Sequence, residues 1–341
     1  MTLSWRANNH HGSCGSQRIR SRSRHWIGQM TRYLATRFVR AVLTLLLCVS
    51  AAFVVLRLSG DPTDILLPED ASADTRAEYR TRWGLDRTIP EQYFRYLASV
   101  LRGDLGLSFA DGRPAITVIL EAIPNTLILG SSAIILALAV GIPLGILAAQ
   151  HRNTPLDRTI MSLAVLGFSL PTFFLAILLI LLFALTLRWL PSSGTETWLH
   201  LLLPTITLAS GLLGKTARFT RTSLLEVLSQ PYVRTARGKG VPRLGVLLGH
   251  VFPNAAVPLL MFLGIEIGLV LAGAVVTETI FAWPGIGRLL VSAAASRDLP
   301  VVQAAILFVA AIIVLSNLAV DLIHAMVDPR IDAFGTKHSR S

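Results

Sequence analysis

Long apolar runs restrict the folds open to this chain of 341 residues more than any other feature of its sequence. Hydrophobic residues make up 52% of the chain, charged residues make up 15%, and the mean hydropathy is +0.59. A soluble domain carries about 25% charged residues, so this composition indicates an integral membrane protein. Lipid cannot hydrogen-bond the backbone, and a helix needs about 20 residues to cross the hydrocarbon layer, so each run predicts one membrane-spanning helix.

Six runs predict an all-α integral membrane protein with six transmembrane helices. Basic residues follow the second and fourth runs, whereas residues 189–200 contain only one charged residue, Glu196. This distribution predicts that both termini are cytoplasmic. The fourth run should continue as a helix past Arg221. The six runs cover residues 38–58, 125–149, 159–187, 201–213, 255–276 and 301–326.

The polar segments predict how the chain divides. Residues 1–29 are rich in Arg and Ser and lack apolar periodicity, so we expect a disordered basic tail there. Residues 59–121 contain more acidic than basic side chains and should form an external domain between the first two spans. Two short helices are expected in it, near residues 73–83 and 90–101. The remaining ranges are a lead-in with the first helix at 30–58, helices two to six at 122–326 with a cytoplasmic loop at 215–253, and a cytoplasmic tail at 327–341.

The loop between the fourth and fifth runs contains a short basic segment with signals for both ends of a helix. Pro231 suits the first turn of a helix, and Ser229 is placed to cap it. Gly240 can adopt the left-handed conformation that ends a helix, and Pro242 prevents its continuation. We therefore predict a rigid helix of about two turns outside the bilayer. Its small-residue face consists of Thr235, Ala236 and Gly238.

A three-part pattern in this loop resembles the cytoplasmic loop of ABC importer membrane subunits. Arg234-Thr235-Ala236, Gly240 and Val257-Pro258 are similar to the EAA, G and LP positions of that family. The sequence YVRTARGKG around them resembles the version in dipeptide and oligopeptide importer permeases. In that family the loop forms a coupling helix that sits in a cleft of the ATP-hydrolysing subunit.

The resemblance extends over nearly the whole chain. Trp83-Gly-Leu-Asp-Arg87 and Arg102-Gly-Asp-Leu-Gly-Leu-Ser108 are similar to parts of the external domain of the same permeases. The similarity therefore covers residues 30–331, and the sequence leaves Met1 and Met30 as alternative start positions.

The resemblance implies a permease subunit of an ATP-driven importer in a prokaryotic cell membrane, and not an enzyme. It implies no cofactor on this chain, because two ABC ATPase subunits or domains would bind ATP and Mg. A second related permease (or a copy of this chain) and an external solute-binding protein are the other implied partners. Members of the family import di- and oligopeptides, but others take nickel, glutathione or oligosaccharides, so a peptide is the expected substrate. The implied coupling residues are Tyr232, Arg234, Thr235, Ala236, Arg237, Lys239, Gly240 and Pro258.

Two polar residues of the apolar runs, Glu266 and Asn125, are considered for the translocation path. A carboxylate inside a membrane is costly unless it is protonated or paired, which makes Glu266 a candidate functional residue. It is either a contact for a cationic or amide-bearing substrate, or a protonated acid that is hydrogen-bonded to a neighbouring span. For Asn125, and for Asp321 in the sixth run, helix-end capping or interface solvation is favoured over substrate contact.

Other classes of protein find less support in the sequence. The net charge of +11 does not indicate nucleic-acid binding, because the basic residues cluster at the ends of the apolar runs. Cys14 and Cys48 indicate neither a disulfide framework nor a metal site. Residues 209–216 match a phosphate-binding loop only loosely, and the chain lacks HExxH, GxSxG and CxxC motifs. The alternative function is a self-sufficient ion-coupled transporter, which should contain paired broken helices and clustered intramembrane acids.

Overall fold

The protein is helical throughout the residues that its computed structural model describes. The backbone is described for residues 14–58, 63, 67, 71–82 and 84–327. Every regular element in these ranges is a helix, and strand-like pairing is limited there to one isolated bridge between Leu107 and Pro114. The all-α prediction is therefore confirmed.

The chain divides into two compact units. One comprises Met1–Leu46 with Ile331–Ser341, and the other comprises Leu47–Arg330. The packing described below lies within the second unit. Of the cytoplasmic tail predicted at 327–341, residues 328–341 lie outside the described residues.

The first helix, α1 (Cys14–Leu58), begins well before the first apolar run. It includes part of the segment 1–29 for which we expected disorder, whereas residues 1–13 lie outside the described residues. Because the first proline of the chain is Pro62, none interrupts the helical hydrogen bonds in this stretch. Within α1, only Thr36–Leu58 is apolar enough and long enough to cross a membrane.

Eleven further helices follow within the described residues. The two short helices expected in residues 59–121 are present as α2 and α3, with a proline in the first turn of α3. The helices are α2 (Ala73–Arg82), α3 (Ile89–Leu101), α4 (Ala115–Gln150), α5 (Pro155–Ser169), α6 (Thr172–Leu179), α7 (Leu199–Leu228), α8 (Pro231–Gly238), α9 (Arg243–Val246), α10 (Phe252–Ile280), α11 (Ile286–Ala295) and α12 (Leu299–Val327). π-Helical segments extend α6 over Ile180–Thr186 and join α9 to α10 over Leu247–Val251.

Four helical segments in the described residues could cross a membrane by their length and composition. They lie in α1, α4, the continuous α9–α10 helix and α12, and α5 with α6 makes a fifth if the bent pair counts as one span. The remaining predicted span corresponds to α7, whose apolar stretch is interrupted by residues such as Lys215. The count of six crossings and the cytoplasmic position of the termini stay predictions.

The third predicted span is broken at Pro171. The axes of α5 and α6 differ by 103°. Leu170, which precedes the proline, has an extended backbone with ψ 128, as expected for a residue whose helical conformation is sterically disfavoured by the following ring.

The long helix α7 lies at the centre of the packed unit, against α4, α5, α6 and α10. Small residues allow this close packing: a Cβ atom at Gly141 or Gly145 of α4 would lie 2.9 or 2.6 Å from a backbone oxygen of α7. These two glycines therefore let α4 and α7 approach each other closely. α7 thus touches most of the other long helices and leads directly into α8.

The segment after the fifth apolar run differs from its prediction. α10 continues to Ile280, beyond the expected end of the span at Val276. The residues that follow α10 fold back as the short apolar helix α11. This helix is buried through Ile286, Gly287 and Ala293 against α4, α10 and α12, and burial of its apolar face favours the helix over an exposed loop.

Candidate functional site

The loop helix α8 has the length and the ends that the sequence predicts. Pro231 lies in its first turn, and Gly240 follows it with φ 78 while its N–H donates to Arg237 O at 3.0 Å. The predicted cap at Ser229 is wrong, because Gln230 is the residue at the N-cap. Ser229 still belongs to the end of α7, and its hydroxyl donates to Glu226 O at 2.7 Å.

One face of α8 packs inside the chain. Val233 and Ala236 are buried in a cluster formed with the C-terminal parts of α4 and α7 and the start of the α9–α10 helix. Ala236 therefore faces this chain and not a partner, whereas the other two members of the expected small-residue face, Thr235 and Gly238, are exposed. The cluster also contains Ala149, Leu224, Val246, Leu247, Val251 and Ala255.

The opposite face of α8 is exposed and positively charged. Tyr232 is 43% exposed, and no ion pair in the described part of the chain involves its basic neighbours. The exposed candidate residues are Tyr232, Arg234, Thr235, Arg237, Lys239 and Gly240. Pro258 is separate from them, because it lies partly buried inside α10. The structure therefore brings together six of the eight predicted coupling residues on one open face, which can bind an acidic surface.

Glu266 of α10 is paired with a lysine of α7. The Lys215 Nζ donates to both Glu266 carboxylate oxygens, at 3.1 and 2.9 Å. Glu266 therefore contacts a neighbouring helix, and its partner there is an ammonium group.

Asn125 lies well inside α4, because that helix begins at Ala115, so helix-end capping is the wrong explanation for it. Its side-chain Nδ2 donates to Pro284 O at 3.0 Å, and its backbone carbonyl accepts from Trp283 Nε1 at 2.9 Å. The two bonds hold the turn between α10 and α11 in place. The side chain of Asp321 lies outside the described residues.

Glu278 is a buried polar centre that sequence reasoning missed. Its carboxyl group accepts from Thr126 Oγ1 at 2.7 Å and from the N–H groups of Gly287 and Arg288 at 2.7 and 3.1 Å. A Cβ atom on Gly287 or Gly285 would collide with this carboxyl group. The signal in the sequence is an acid followed closely by two glycines and a helix, because a helix N-terminus offers free N–H donors.

A second polar contact ties α5 to α7. Arg221 donates to both carboxylate oxygens of Asp157, at 2.6 and 2.7 Å, and Asn153 N donates to the same carboxylate at 2.9 Å. Arg221 lies inside α7, which continues past it to Leu228 as the sequence predicts. Its bidentate geometry fixes the relative position of the two helices.

The segment before α4 is attached to the start of α12. Asp298 accepts from Ser108 Oγ and from Phe109 N, the latter at 3.0 Å. A cavity of about 530 Å³ lies beside this contact and is lined by four arginines. Burial raises the pKa of Tyr96, which also lines it, to about 12. The arginines are Arg57, Arg82, Arg87 and Arg95.

Comparisons with known proteins cover almost the whole chain. The family described as "Binding-protein-dependent transport system inner membrane component" matches residues 141–333, and "Binding-prot-dependent transport system membrane comp, N-term" matches residues 30–130. The glutathione transport system permease protein GsiC of Salmonella paratyphi A (strain ATCC 9150 / SARB42) is 40% identical over 303 residues, which cover 89% of this chain and 99% of that protein. GsiC of Escherichia coli (strain K12) is 38% identical over the same shares of both chains.

A solved structure resembles the fold. One chain of the MetNI methionine ABC transporter in an inward-facing conformation superimposes with a TM-score of 0.53 and 17% sequence identity. The superposition covers 62% of this chain and 97% of that chain. At this identity the similarity concerns the arrangement of helices alone.

Proposed function

The chain belongs to the family of binding-protein-dependent transport system inner membrane components, and from this membership we propose that it forms half of the path through which an ATP-driven importer carries small peptides. As a member it is a multi-pass ABC permease of a bacterial inner membrane. The names of its GsiC relatives support a peptide-like substrate, because glutathione is itself a tripeptide. These relatives favour peptides over nickel or oligosaccharides.

The observation that carries this proposal is the two-sided surface of α8. Its buried side rests on the C-terminal parts of α4 and α7 and on the start of the α9–α10 helix, so a force on the exposed side reaches several spans. The exposed cations Arg234, Arg237 and Lys239 would meet acidic groups of the ATPase, and Tyr232 would fill a recess in it. ATP hydrolysis would then move α7 and α10 and alternate access to the path.

The remaining assignments follow from the same role. Two ATPase subunits or domains would bind ATP and Mg, and a second permease or a copy of this chain would complete the path. Residues 59–121 would form the external domain that receives the solute-binding protein, and residues 215–253 would form the cytoplasmic coupling loop. Six spans would place both termini in the cytoplasm. Glu266 would line the translocation path. Asn125 supports the turn between α10 and α11.

An ion-coupled carrier is the weaker alternative. The bent α5–α6 pair is the kind of broken helix that such carriers contain. Within the described residues, however, Glu266 is paired with Lys215, and Glu278 is enclosed by hydrogen bonds. Copurification separates the two functions, since an importer permease should bring an ATPase chain with it.

A substitution at Gly240 tests the role of α8. Gly240 has φ 78, where a β-branched residue is strained by about 1–2 kcal/mol but asparagine is tolerated. We expect Gly240→Val to reduce uptake of radiolabelled glutathione strongly, with normal abundance in the membrane, and Gly240→Asn to retain most uptake. Gly238→Ala is the matched control, because a Cβ atom there meets open space and the backbone is helical. Unchanged uptake in Gly240→Val would count against the docking role.

A further inference from the structure

The cavity beside α3 has a wall with an excess of positive charge. Its volume is about 530 Å³, and the charged residues among the described ones that line it are four arginines and one acid, Asp104. Two of the arginines, Arg87 and Arg95, share the carboxylate of Glu91, at 2.6 and 3.3 Å. In this part of the wall, four guanidinium groups are balanced by two carboxylates, and the excess of positive charge attracts an anion.

One arginine of this wall is not paired with an acid. Arg82 is the last residue of α2, and it takes part in no ion pair within the described residues. A guanidinium group presents its N–H donors in a planar fork that fits the two oxygens of a carboxylate, and such charge-assisted bonds are roughly twice as strong as neutral ones. Arg82 is therefore available to bind the carboxylate of a ligand.

A buried oxygen in the same wall lacks a hydrogen-bond donor. Gln92 is 9% exposed, and its Nε2 donates to Leu85 O at 3.3 Å and to Arg87 O at 2.7 Å. These two bonds identify which end of the side-chain amide is the nitrogen. Its Oε1 is buried and has no partner in the described part of the chain. Because buried polar atoms are nearly always paired, this oxygen indicates a ligand that donates an N–H or O–H group.

The hydroxyl group of Tyr96 is a second buried group without a partner among the described residues. Its ring is held in place by stacking on the Phe53 ring, with centroids 5.8 Å apart. Because burial raises the pKa of Tyr96 to about 12, the hydroxyl stays protonated at neutral pH and can donate to an anion. The wall thus offers donors at Arg82 and Tyr96 and acceptors at Gln92 and Asp104.

The cavity does not belong to the apolar face of α3. Phe94 and Leu101 on that face are 68% and 88% exposed. At 3.6 residues per turn, they lie roughly opposite Gln92 and Ser99, which line the cavity. Lipid would contact the apolar face, so the cavity lies on the side of α3 away from it. This position favours a water-soluble ligand over a lipid head group.

We propose that this cavity is a binding site for small peptides, which it holds by a free carboxylate and by an N–H group. The carboxylate accepts hydrogen bonds from Arg82 and from the Tyr96 hydroxyl, and an amide or ammonium N–H of the same ligand donates to Gln92 Oε1. The volume lies within the range of about 300–1,000 Å³ that is usual for small-molecule sites, so a di- or tripeptide can be accommodated. The choice of peptides over other carboxylates rests on the proposed function, whereas the site itself is separate from the exposed face of α8.

Calorimetric titration of the complete transporter tests the site. The complex, with its ATPase and permease partners but without a solute-binding protein, is purified in lipid nanodiscs and titrated with glutathione, Ala-Ala and the C-terminal amide of Ala-Ala. We expect the amide to bind about 10- to 100-fold more weakly than Ala-Ala, because its hydrogen bonds to a charged group are lost. Inorganic phosphate at the same concentration should not displace glutathione, and nanodiscs with or without phosphatidylglycerol should give the same affinity.

Two substitutions in the wall should weaken binding. Arg82→Met should lower the affinity for Ala-Ala to that of the amide, because it removes the guanidinium group that binds the carboxylate. Tyr96→Phe keeps the ring contact with Phe53 and removes only the hydroxyl, so the affinity should fall by about 10-fold. Arg102→Met is the matched control, because Arg102 is an exposed arginine at the end of α3 that does not line the cavity.

The outcomes separate this site from the proposed function. Weaker binding in Arg82→Met and Tyr96→Phe, with Arg102→Met like wild type, would place the peptide in the cavity. Unchanged affinity in both wall variants, or displacement of glutathione by phosphate or phosphatidylglycerol, would overturn the peptide site. The proposed function would survive that result, because ATP-driven uptake of glutathione with the solute-binding protein present tests it separately. A wild-type complex that neither binds nor carries either peptide would overturn the substrate class of the proposed function, and this inference with it.

Discussion

Among single residues, Glu278 shows how a carboxyl group can be stable between packed helices. It is fully buried, yet it accepts hydrogen bonds from one side chain of α4 and from two backbone N–H groups at the start of α11. These N–H groups lack partners within their own helix, so the carboxyl group satisfies donors that would otherwise be buried alone. One side chain thereby connects three helices.

Removal of this group should destabilise the protein. Glu278→Ala leaves the Thr126 hydroxyl and the N–H groups of Gly287 and Arg288 without their acceptor, which should lower the free energy of unfolding by about 3 kcal/mol. Glu278→Gln keeps one acceptor oxygen, so its effect should be smaller. Denaturant titration of the purified protein in detergent micelles measures the difference.

Thr279→Ala is the matched control for this experiment. Thr279 is the next residue of α10, but it is exposed, and its hydroxyl bonds only to Val275 O of its own helix at 2.8 Å. Its loss should change stability little. Equal stabilities of Glu278→Ala and Thr279→Ala would show that Glu278 does not hold α11 in place.

Among the helices, α8 has a buried face and an exposed face to which we assign different roles. Val233 is completely buried against the spans, and Arg234 beside it is exposed. Val233→Asp would bury an unpaired charge, so we expect it to cost about 3 kcal/mol or more and to release α8 from the spans. Arg234→Asp should leave stability unchanged and weaken copurification of the ATPase.

The two variants are compared by thermal unfolding and by the amount of ATPase recovered with the tagged permease. Both introduce the same aspartate at adjacent positions, so added charge alone cannot explain a difference between them. Full ATPase recovery with Arg234→Asp, at normal stability, would contradict the assignment of this face to the partner.

The contrast between α8 and α11 explains how much the sequence could predict. The limits of α8 depend on local chemistry, since a proline starts it and Gly240 ends it, and both were predictable. The position of α11 depends on burial: residues 277–300 are polar at their ends, and only packing against α4 and α12 makes a buried helix there stable. The partner of Glu266 was missed because no spacing rule links two residues that lie 51 positions apart. Two of the Glu278 partners lie only nine and ten positions away, but that contact depends on the burial of α11, which local sequence does not indicate.

For the whole molecule, the number of crossings between the external domain and α8 decides the topology. Three helical segments separate Arg102 from Thr235: α4, the bent α5–α6 pair, and α7. If the bent pair crosses the membrane, three crossings place the two residues on opposite sides. If it enters and returns on one side, two crossings place them on the same side.

Cysteine labelling distinguishes these topologies. Native Cys14 and Cys48 are first replaced by serine, and a cysteine is introduced at the exposed position Arg102 or Thr235. An impermeant maleimide added to cells with a permeabilised outer membrane should modify Arg102→Cys but not Thr235→Cys. In inverted vesicles the reverse is expected, and the bound ATPase should slow the reaction of Thr235→Cys.

The same labelling also tests the coupling role, because an ATPase in the cytoplasm can reach α8 only if α8 lies on that side. Modification of both cysteines from outside would mean that the 103° bend returns the chain to its original side. The exposed cations of α8 would then face away from any ATPase, and the proposed function would fail together with the six-span topology. Labelling from opposite sides would establish that the bent pair crosses the membrane, despite the break at Pro171.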